Sequence, residues 1–268
     1  MKKGMYIITT IVILVGIILT AVKGLNYSVD IKGGTRIQIG LETDYNIKEI
    51  KQIAKEVFPK EVLVEKIEAT SEVVSIITEE ATEENLEVLV AKLNEKYETD
   101  VYKTENLLTS EVPNIRVRDL AQRYVFPLGV ASVIAVIYTA IISKNKMKDT
   151  LIMAVGIVLA TFLLLSILAI IQIPVNRGML TAGIIAVIMT ITFITIILSK
   201  NMNQKDRINN LMLITGIAVI SAIAISLIGF IADKELLIFT GVELTLGILI
   251  SAYSAILAET VEKEKIKE

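Results

Sequence analysis

Long apolar runs set against one polar stretch organise this chain. Residues 5–22 are almost unbroken Ile, Leu, Val, Thr and Gly, and five more runs occupy 124–142, 150–171, 179–199, 211–231 and 236–258. Each is close to the ~20 residues that span a ~30 Å hydrocarbon core at ~1.5 Å per residue. In lipid an isolated strand would leave its backbone polar groups unpaired, so the pattern predicts six transmembrane helices. Lys2 and Lys3 ahead of the first run also fit a signal peptide. The run exceeds the ~7–15 apolar residues of such a peptide, however, and Thr20-Ala21-Val22-Lys23 is a poor cleavage site. We therefore read it as a retained anchor.

The polar stretch between the first two runs alternates strand and helix signals. Residues 35–39 alternate polar and apolar at period two, which predicts a half-buried strand. Asn46 then stands as an N-cap before the helical stripe Ile47, Ile50, Ile53, Ala54 and Val57, which stops ahead of Pro59. Strand-like runs follow at 62–69 and 73–78. Thr82 opens a second amphipathic helix with Leu86, Leu89, Val90 and Leu93 on one face, and a last strand is expected at about 100–108. The order β-α-β-β-α-β predicts an α+β, ferredoxin-like domain with two helices on one face of a four-stranded antiparallel sheet. The expected organisation is a first segment and anchor at 1–23, this domain at 24–119, a five-helix bundle at 120–258 and a charged tail at 259–268.

Composition agrees with a membrane protein. The chain has 268 residues, of which 53% are hydrophobic, and its mean hydropathy is +0.65. It has no Cys and no His, which excludes disulfides, thiolate nucleophiles and imidazole metal ligands. No catalytic, cofactor or metal site is expected. A net charge of −2 gives no basis for nucleic-acid binding. Basic residues cluster before the first run (Lys2, Lys3), between the second and third (Lys144, Lys146, Lys148), between the fourth and fifth (Lys200, Lys205, Arg207) and after the sixth (Lys263, Lys265, Lys267). The opposite short loops carry only Arg177 and Lys234. The positive-inside rule then places both termini in the cytoplasm and the α+β domain outside. Arg116, Arg118 and Arg123 run against the rule, but they follow a long folded region, where it applies weakly.

Three short segments carry a family resemblance. Directly behind the first run stands Leu25-Asn26-Tyr27-Ser28-Val29-Asp30-Ile31-Lys32-Gly33-Gly34-Thr35. It resembles the segment after the first membrane helix of the SecF protein-export subunits, close to L-N-F-G-hydrophobic-D-F-x-G-G-T, with Ser28 where glycine is usual. Ile173-Pro174-Val175-Asn176 precedes the fourth run, and 246–256 in the sixth resembles the SecD/SecF run I-G-I-I-V-G-T-Y-S-S-I through Gly247, Tyr253, Ser254 and Ile256. Val112-Pro113-Asn114-Ile115 resembles the family's V-G-P-x-V-G without its glycines. Gly33-Gly34 reads either as a tight turn or bulge, because glycine reaches positive φ cheaply, or as a joint for the outer domain. It is not a phosphate loop: no Lys-Ser/Thr follows and no helix begins there.

The resemblance implies a divergent SecF-like subunit, half of an RND/SecDF-like membrane fold, in the cytoplasmic membrane. It implies a SecD-like partner, the SecYEG translocon and an exported polypeptide as its associates, in contact with the lipid bilayer. The activity implied is assistance to polypeptide export rather than an enzymatic reaction. It also implies a proton-coupling Asp in the fourth span, at 192–196. Those residues are Thr192, Phe193, Ile194, Thr195 and Ile196, none acidic. The His-Asp pair of relatives would fall near Leu159-Ala160 and is missing too. Either coupling is absent or a partner chain supplies it.

What remains in the fourth run is a row of hydroxyls. Thr181, Thr192, Thr195 and Ser199 share a helical face. They read as packing groups bonded to their own backbone, or as a hydrated seam or partner interface. Glu243 is the one acid well inside the sixth run. It either snorkels to the headgroups or is an ionisable site, alone or paired with Arg177. Two other function classes stay open: a non-energised structural subunit of a membrane complex, and half of an RND-type exporter. The small outer domain counts against the last.

Overall fold

The computed structural model describes residues 2–41, 45–67, 73–98, 102–199, 203–232 and 234–265. It divides into two compact units, Met1–Asn26 with Val117–Glu268, and Tyr27–Arg116. The first unit begins with helix α1 (Lys2–Val22). The second then folds through a single turn α2 (Val29–Lys32), β1 (Gly34–Gly40), α3 (Ile47–Val57), β2 (Val62–Lys66), β3 (Val73–Thr78), α4 (Glu83–Tyr97) and β4 (Leu108–Val112).

Sheet order in this second unit is β2-β3-β1-β4, and every pair is antiparallel. That is the ferredoxin-like arrangement expected from the element order. Ile37 and Ile39 of β1, Val74 and Ile76 of β3, and Val62 and Val64 of β2 point to one face, in line with the period-two pleat. Ile50, Ile53, Ala54 and Val57 from α3 and Leu89, Val90 and Leu93 from α4 close over it. Both helices start where a side chain satisfies an otherwise unpaired N–H. Asn46 accepts from the Lys48 amide at 3.0 Å, and Thr82 accepts from the Asn85 amide at 3.3 Å.

The last strand differs from expectation: it begins at Leu108, where the predicted one ended. Tyr102 is instead held against α4, with its N–H donating to Asn94 Oδ1 and its carbonyl accepting from Asn94 Nδ2. Thr104–Asn106 then form a 3-10 turn, and pairing with β1 runs from Gln38↔Leu108 to Gly34↔Val112. The predicted strand over 62–69 ends by Lys66, and 68–69 and 100 lie outside the described residues, as do Lys200 and Lys267.

Back in the first unit, α5 (Val117–Leu120) passes through a π-helical turn (Ala121–Val125) into α6 (Phe126–Ile142). Four long helices follow: α7 (Lys146–Ile171), α8 (Arg177–Leu198), α9 (Gln204–Ile231) and α10 (Glu235–Lys265). Six helices in all are long and apolar enough to cross a membrane among the described residues, matching the six predicted runs. α9 starts earlier than its apolar run. Asn203 caps it by accepting from the Asp206 amide at 2.9 Å, so its polar first turns are helical too.

α7, α8 and α10 form the interior, with Ile152 and Ile157, Phe193, Ile194 and Ile197, and Ala252 and Ala255 among the buried contacts. α1 packs on α7, α6 on α7 and α9 on α10. α6 buries none of its residues, and α1 and α9 expose most of their apolar side chains, as lipid-facing helices do.

Leu89 is fully buried between sheet and helix. Leu89→Ala is expected to destabilise the Tyr27–Arg116 unit by about 2–5 kcal/mol. Amide hydrogen exchange of β1 and β3 in the full chain would show this as lost protection, with the helices of the other unit unaffected.

Candidate functional site

Two regions gather the motif residues, one in each unit. In the second unit, Val29 and Ile31 of α2 are buried and Ser28 Oγ donates to Asp30 Oδ1. The turn ends at Gly33, whose N–H reaches the Val29 carbonyl at 2.9 Å. Gly33 has φ +81, and an added Cβ would lie 2.6 Å from the Asn114 nitrogen and 2.7 Å from the Val112 carbonyl oxygen. At Gly34 an added Cβ would overlap the Thr78 carbonyl oxygen. Thr35 then pairs with Thr78 on one side and Glu111 on the other. The glycines thus let β1 enter between β3 and β4, where two backbones leave no room for a side chain.

In the first unit, the residue that leaves α1 is fastened to the turn between α7 and α8. Asn26 Nδ2 donates to the Gln172 carbonyl at 3.0 Å, and the Asn26 carbonyl accepts from the Val175 amide at 2.6 Å. Gln172 ends α7 in the left-handed region at φ 57. Asn176 starts α8 by accepting from the Met179 amide at 2.8 Å. Two segments far apart in sequence, the Leu25-Asn26 end of the first motif and the turn holding Ile173-Pro174-Val175-Asn176, therefore meet through one side-chain and one backbone hydrogen bond.

The third segment lies where α10 packs against α8. An added Cβ on Gly247 would stand 2.7 Å from Ala186 Cβ. Ser251 Oγ lies 2.7 Å from the Ala186 carbonyl and 2.6 Å from the Gly247 carbonyl. Thr190, fully buried, donates to the same Ala186 carbonyl at 2.9 Å. Close approach through small residues, tied by a hydroxyl crossing between helices, is how helices associate in lipid. Ser254 is fully buried on this face and its Oγ has no hydrogen-bond partner.

Glu243 begins the same face, four residues before Gly247. It lies eight residues into α10, ~12 Å along the helix axis. It does not snorkel: the residue is 3% exposed, with Oε2 unpartnered. On α8 it faces Gly183, where an added Cβ would be 3.8 Å from Oε1. Arg177 is exposed at the first residue of α8, and no ion pair joins it to Glu243 among the described residues. That is an ordinary contact distance, so the carboxyl packs directly against the α8 backbone at Gly183.

Tyr253 turns the other way. Its hydroxyl sits 2.7 Å from Thr9 Oγ1, which itself donates to the Met5 carbonyl, so α10 is linked to α1. Thr192 and Thr195 do not join the seam. They are exposed, with Thr181, on the opposite side of α8, and donate to their own helix at Ile188 and Ile191 (3.0 and 2.8 Å). Among the described residues no group of three acidic side chains could hold a metal ion.

Residues 18–44 match the family model described as the SecD/SecF GG motif. The whole fold is similar to the crystal structure of SecDF, a translocon-associated membrane protein from Thermus thermophilus, with TM-score 0.57 and 13% identity over 99% of this chain and 38% of that one. It is likewise similar to SecDF in a super-membrane-facing form, with TM-score 0.59 and 12% identity over 99% of this chain and 39% of that one. The chain thus carries the SecD/SecF GG motif on a fold similar to that of SecDF. No curated protein matches at the sequence level. The chain spans about two fifths of the length of the SecDF chains it matches.

Within this SecD/SecF-like frame, sequence reasoning missed Thr190 and the buried Asp149, which accepts from Ser143 Oγ at the start of α7. The signal for Thr190 was the small-residue spacing Gly183, Ala186, Thr190, complementary to Gly247, Ser251 and Ser254 on α10. The more conspicuous threonine row hid it.

Gly34→Ala is expected to cost about 2–4 kcal/mol through displacement of β3 from β1, whereas Gly40→Ala, with open space around it, is near neutral. Thermal unfolding of the full-length variants would separate the two. Glu243→Leu is expected to stabilise the membrane unit by about 1–3 kcal/mol, because it removes a buried oxygen that lacks a partner. A lower unfolding temperature in detergent would show instead that the carboxyl holds α8 and α10 together.

Proposed function

We propose that this chain is the SecF-like half of a Sec translocation accessory unit, working with a SecD-like half beside a SecYEG channel to assist export of polypeptides. One observation carries the reading: the GG motif at 18–44 lies on a chain whose entire length follows the SecDF fold. The SecF assignment over SecD rests on the Leu25-Asn26…Asp30…Gly33-Gly34-Thr35 pattern and on one α+β domain of about 90 residues. The role is mechanical and binding rather than enzymatic. In the proposed orientation both termini are cytoplasmic and the Tyr27–Arg116 unit is extracytoplasmic, as the lysine distribution favours.

The energetic reading follows from where acids are and are not. The fourth span, α8, carries threonines at the positions where the resemblance implies an Asp, so the proton-coupling acid belongs to the partner half in this proposal. Glu243 is the acid that stands well inside one of this chain's apolar helices, and in this proposal it lies at membrane depth. An ionisable group there costs about 2.5–3.5 kcal/mol to insert, which supports a functional role for it.

Purification of the tagged full chain in mild detergent is expected to bring down a SecD-like protein in near-equal amount, and SecYEG components at lower occupancy. Recovery with neither, from membranes that contain both, would overturn the assignment.

A further inference from the structure

The ends of three helices frame a cleft that the seam does not use. It has a volume of about 400 Å³ and is lined by Tyr138, Thr139, Ile142, Ser143 and Lys144 at the end of α6, Met153 in α7, and Thr195, Leu198 and Ser199 at the end of α8. Its floor is Met153, 2% exposed, while Tyr138 and Ile142 at its mouth are 63% and 61% exposed. α6, which buries no residue, forms one wall of the cleft through Tyr138, Thr139 and Ile142.

The lining is graded. Ile142 and Leu198 in the last turns of α6 and α8, with Met153 near the start of α7, make an apolar wall. Beyond them Ser143, Lys144 and Ser199 stand where α6 and α8 have ended. Lys144 is exposed and has no carboxylate partner among the described residues. Two helix C-termini meet here, and their carbonyl ends alone would repel an anion. The cations at this rim offset that. Arg207 donates to the Ser199 carbonyl at 3.2 Å, at the end of α8, and Lys144 directly follows the end of α6. The nearby acid, Asp149, is buried and engaged by Ser143.

An apolar slot that ends in an unpaired lysine and a second cation, at the boundary of a membrane span, suits a phospholipid with a negatively charged head. Basic pockets between transmembrane helices bind such headgroups. We propose that this cleft binds one anionic phospholipid, its phosphate on Lys144 with Arg207 behind it and an acyl chain along Ile142 and Leu198 above Met153. The exposed part of Thr195 forms one wall of the slot, so that residue contributes here through shape.

The test uses the full chain in detergent, with bound lipid read by native mass spectrometry. Phosphatidylglycerol adducts are expected to persist on the wild type and to exceed phosphatidylcholine adducts at least fivefold. Lys144→Glu, which reverses the charge, and Thr195→Trp, which fills the cleft from an exposed position, are each expected to lower phosphatidylglycerol retention at least fivefold. Thr181→Trp, on the same face of α8 but outside the cleft, is expected to leave it unchanged and controls for folding. Soluble glycerol 3-phosphate is expected not to compete. Equal retention of the two lipids would overturn the proposal, as would unchanged retention in both cleft variants. Displacement by glycerol 3-phosphate would overturn it in favour of a free-phosphate site.

Discussion

The contact between α8 and α10 is the constraint on which the membrane unit depends. Lipid gives no hydrophobic reward for bringing two apolar helices together, so association rests on close packing and on polar groups that cross between them. Gly247 against Ala186 supplies the first, and Ser251 on the Ala186 carbonyl supplies the second. Ala186 serves both, its methyl in the close approach and its carbonyl in the bond. On α7, Gly156 leaves room for the Ile194 side chain of α8, whose tip an added Cβ would overlap. α7, α8 and α10 are thereby fixed as a core, and α1, α6 and α9 are left as its lipid-facing cladding.

The second unit obeys a different constraint with the same residue. Its sheet requires β1 to enter between two strands already in place, and Gly33-Gly34 is where entry is sterically possible. The pair needs both glycines for distinct reasons: Gly33 for a left-handed φ of +81 and Gly34 for the proximity of the Thr78 carbonyl. Of the two readings open at the level of sequence, these contacts support a tight entry turn. Gly33, hemmed in by the backbone of Val112 and Asn114, and Gly34, against that of Thr78, have little freedom to act as a joint within this unit.

Much of this was legible beforehand because it rests on local periodicity. The six apolar runs, the caps at Asn46 and Thr82 and the inward faces of α3 and α4 follow from spacing alone. The start of β4 did not, since a contact eight residues distant, Asn94 on Tyr102, holds the chain out of the sheet until Leu108. The seam was only half visible. Glu243, Gly247 and Ser254 could be picked out as unusual in an apolar run, but their partner surface could not. In an all-apolar helix every face looks buried, and one has to know which face meets α10 before Gly183, Ala186 and Thr190 become a set. Asn26 was recognised as part of a pattern, while its bonds to Gln172 and Val175 depend on the fold.

The two polar rows on α8 differ in what they still lack, and that difference separates structure from function in the membrane unit. Thr181, Thr192 and Thr195 face outward, yet each donates to the carbonyl four residues back. A hydroxyl so occupied can face lipid at little cost, and it asks for no partner. On the inner side the threonine and the serine at the Ala186 carbonyl are also satisfied, so the seam is complete there. Glu243 and Ser254 are the exceptions, buried with an oxygen unpaired. A polar group buried without a partner costs stability, and such groups persist where something other than stability selects them. Among the described residues, the one stretch of these helices whose polar groups stability alone does not account for is therefore the inner face around Glu243, at the opposite side of α8 from the threonines that the family pattern first draws attention to.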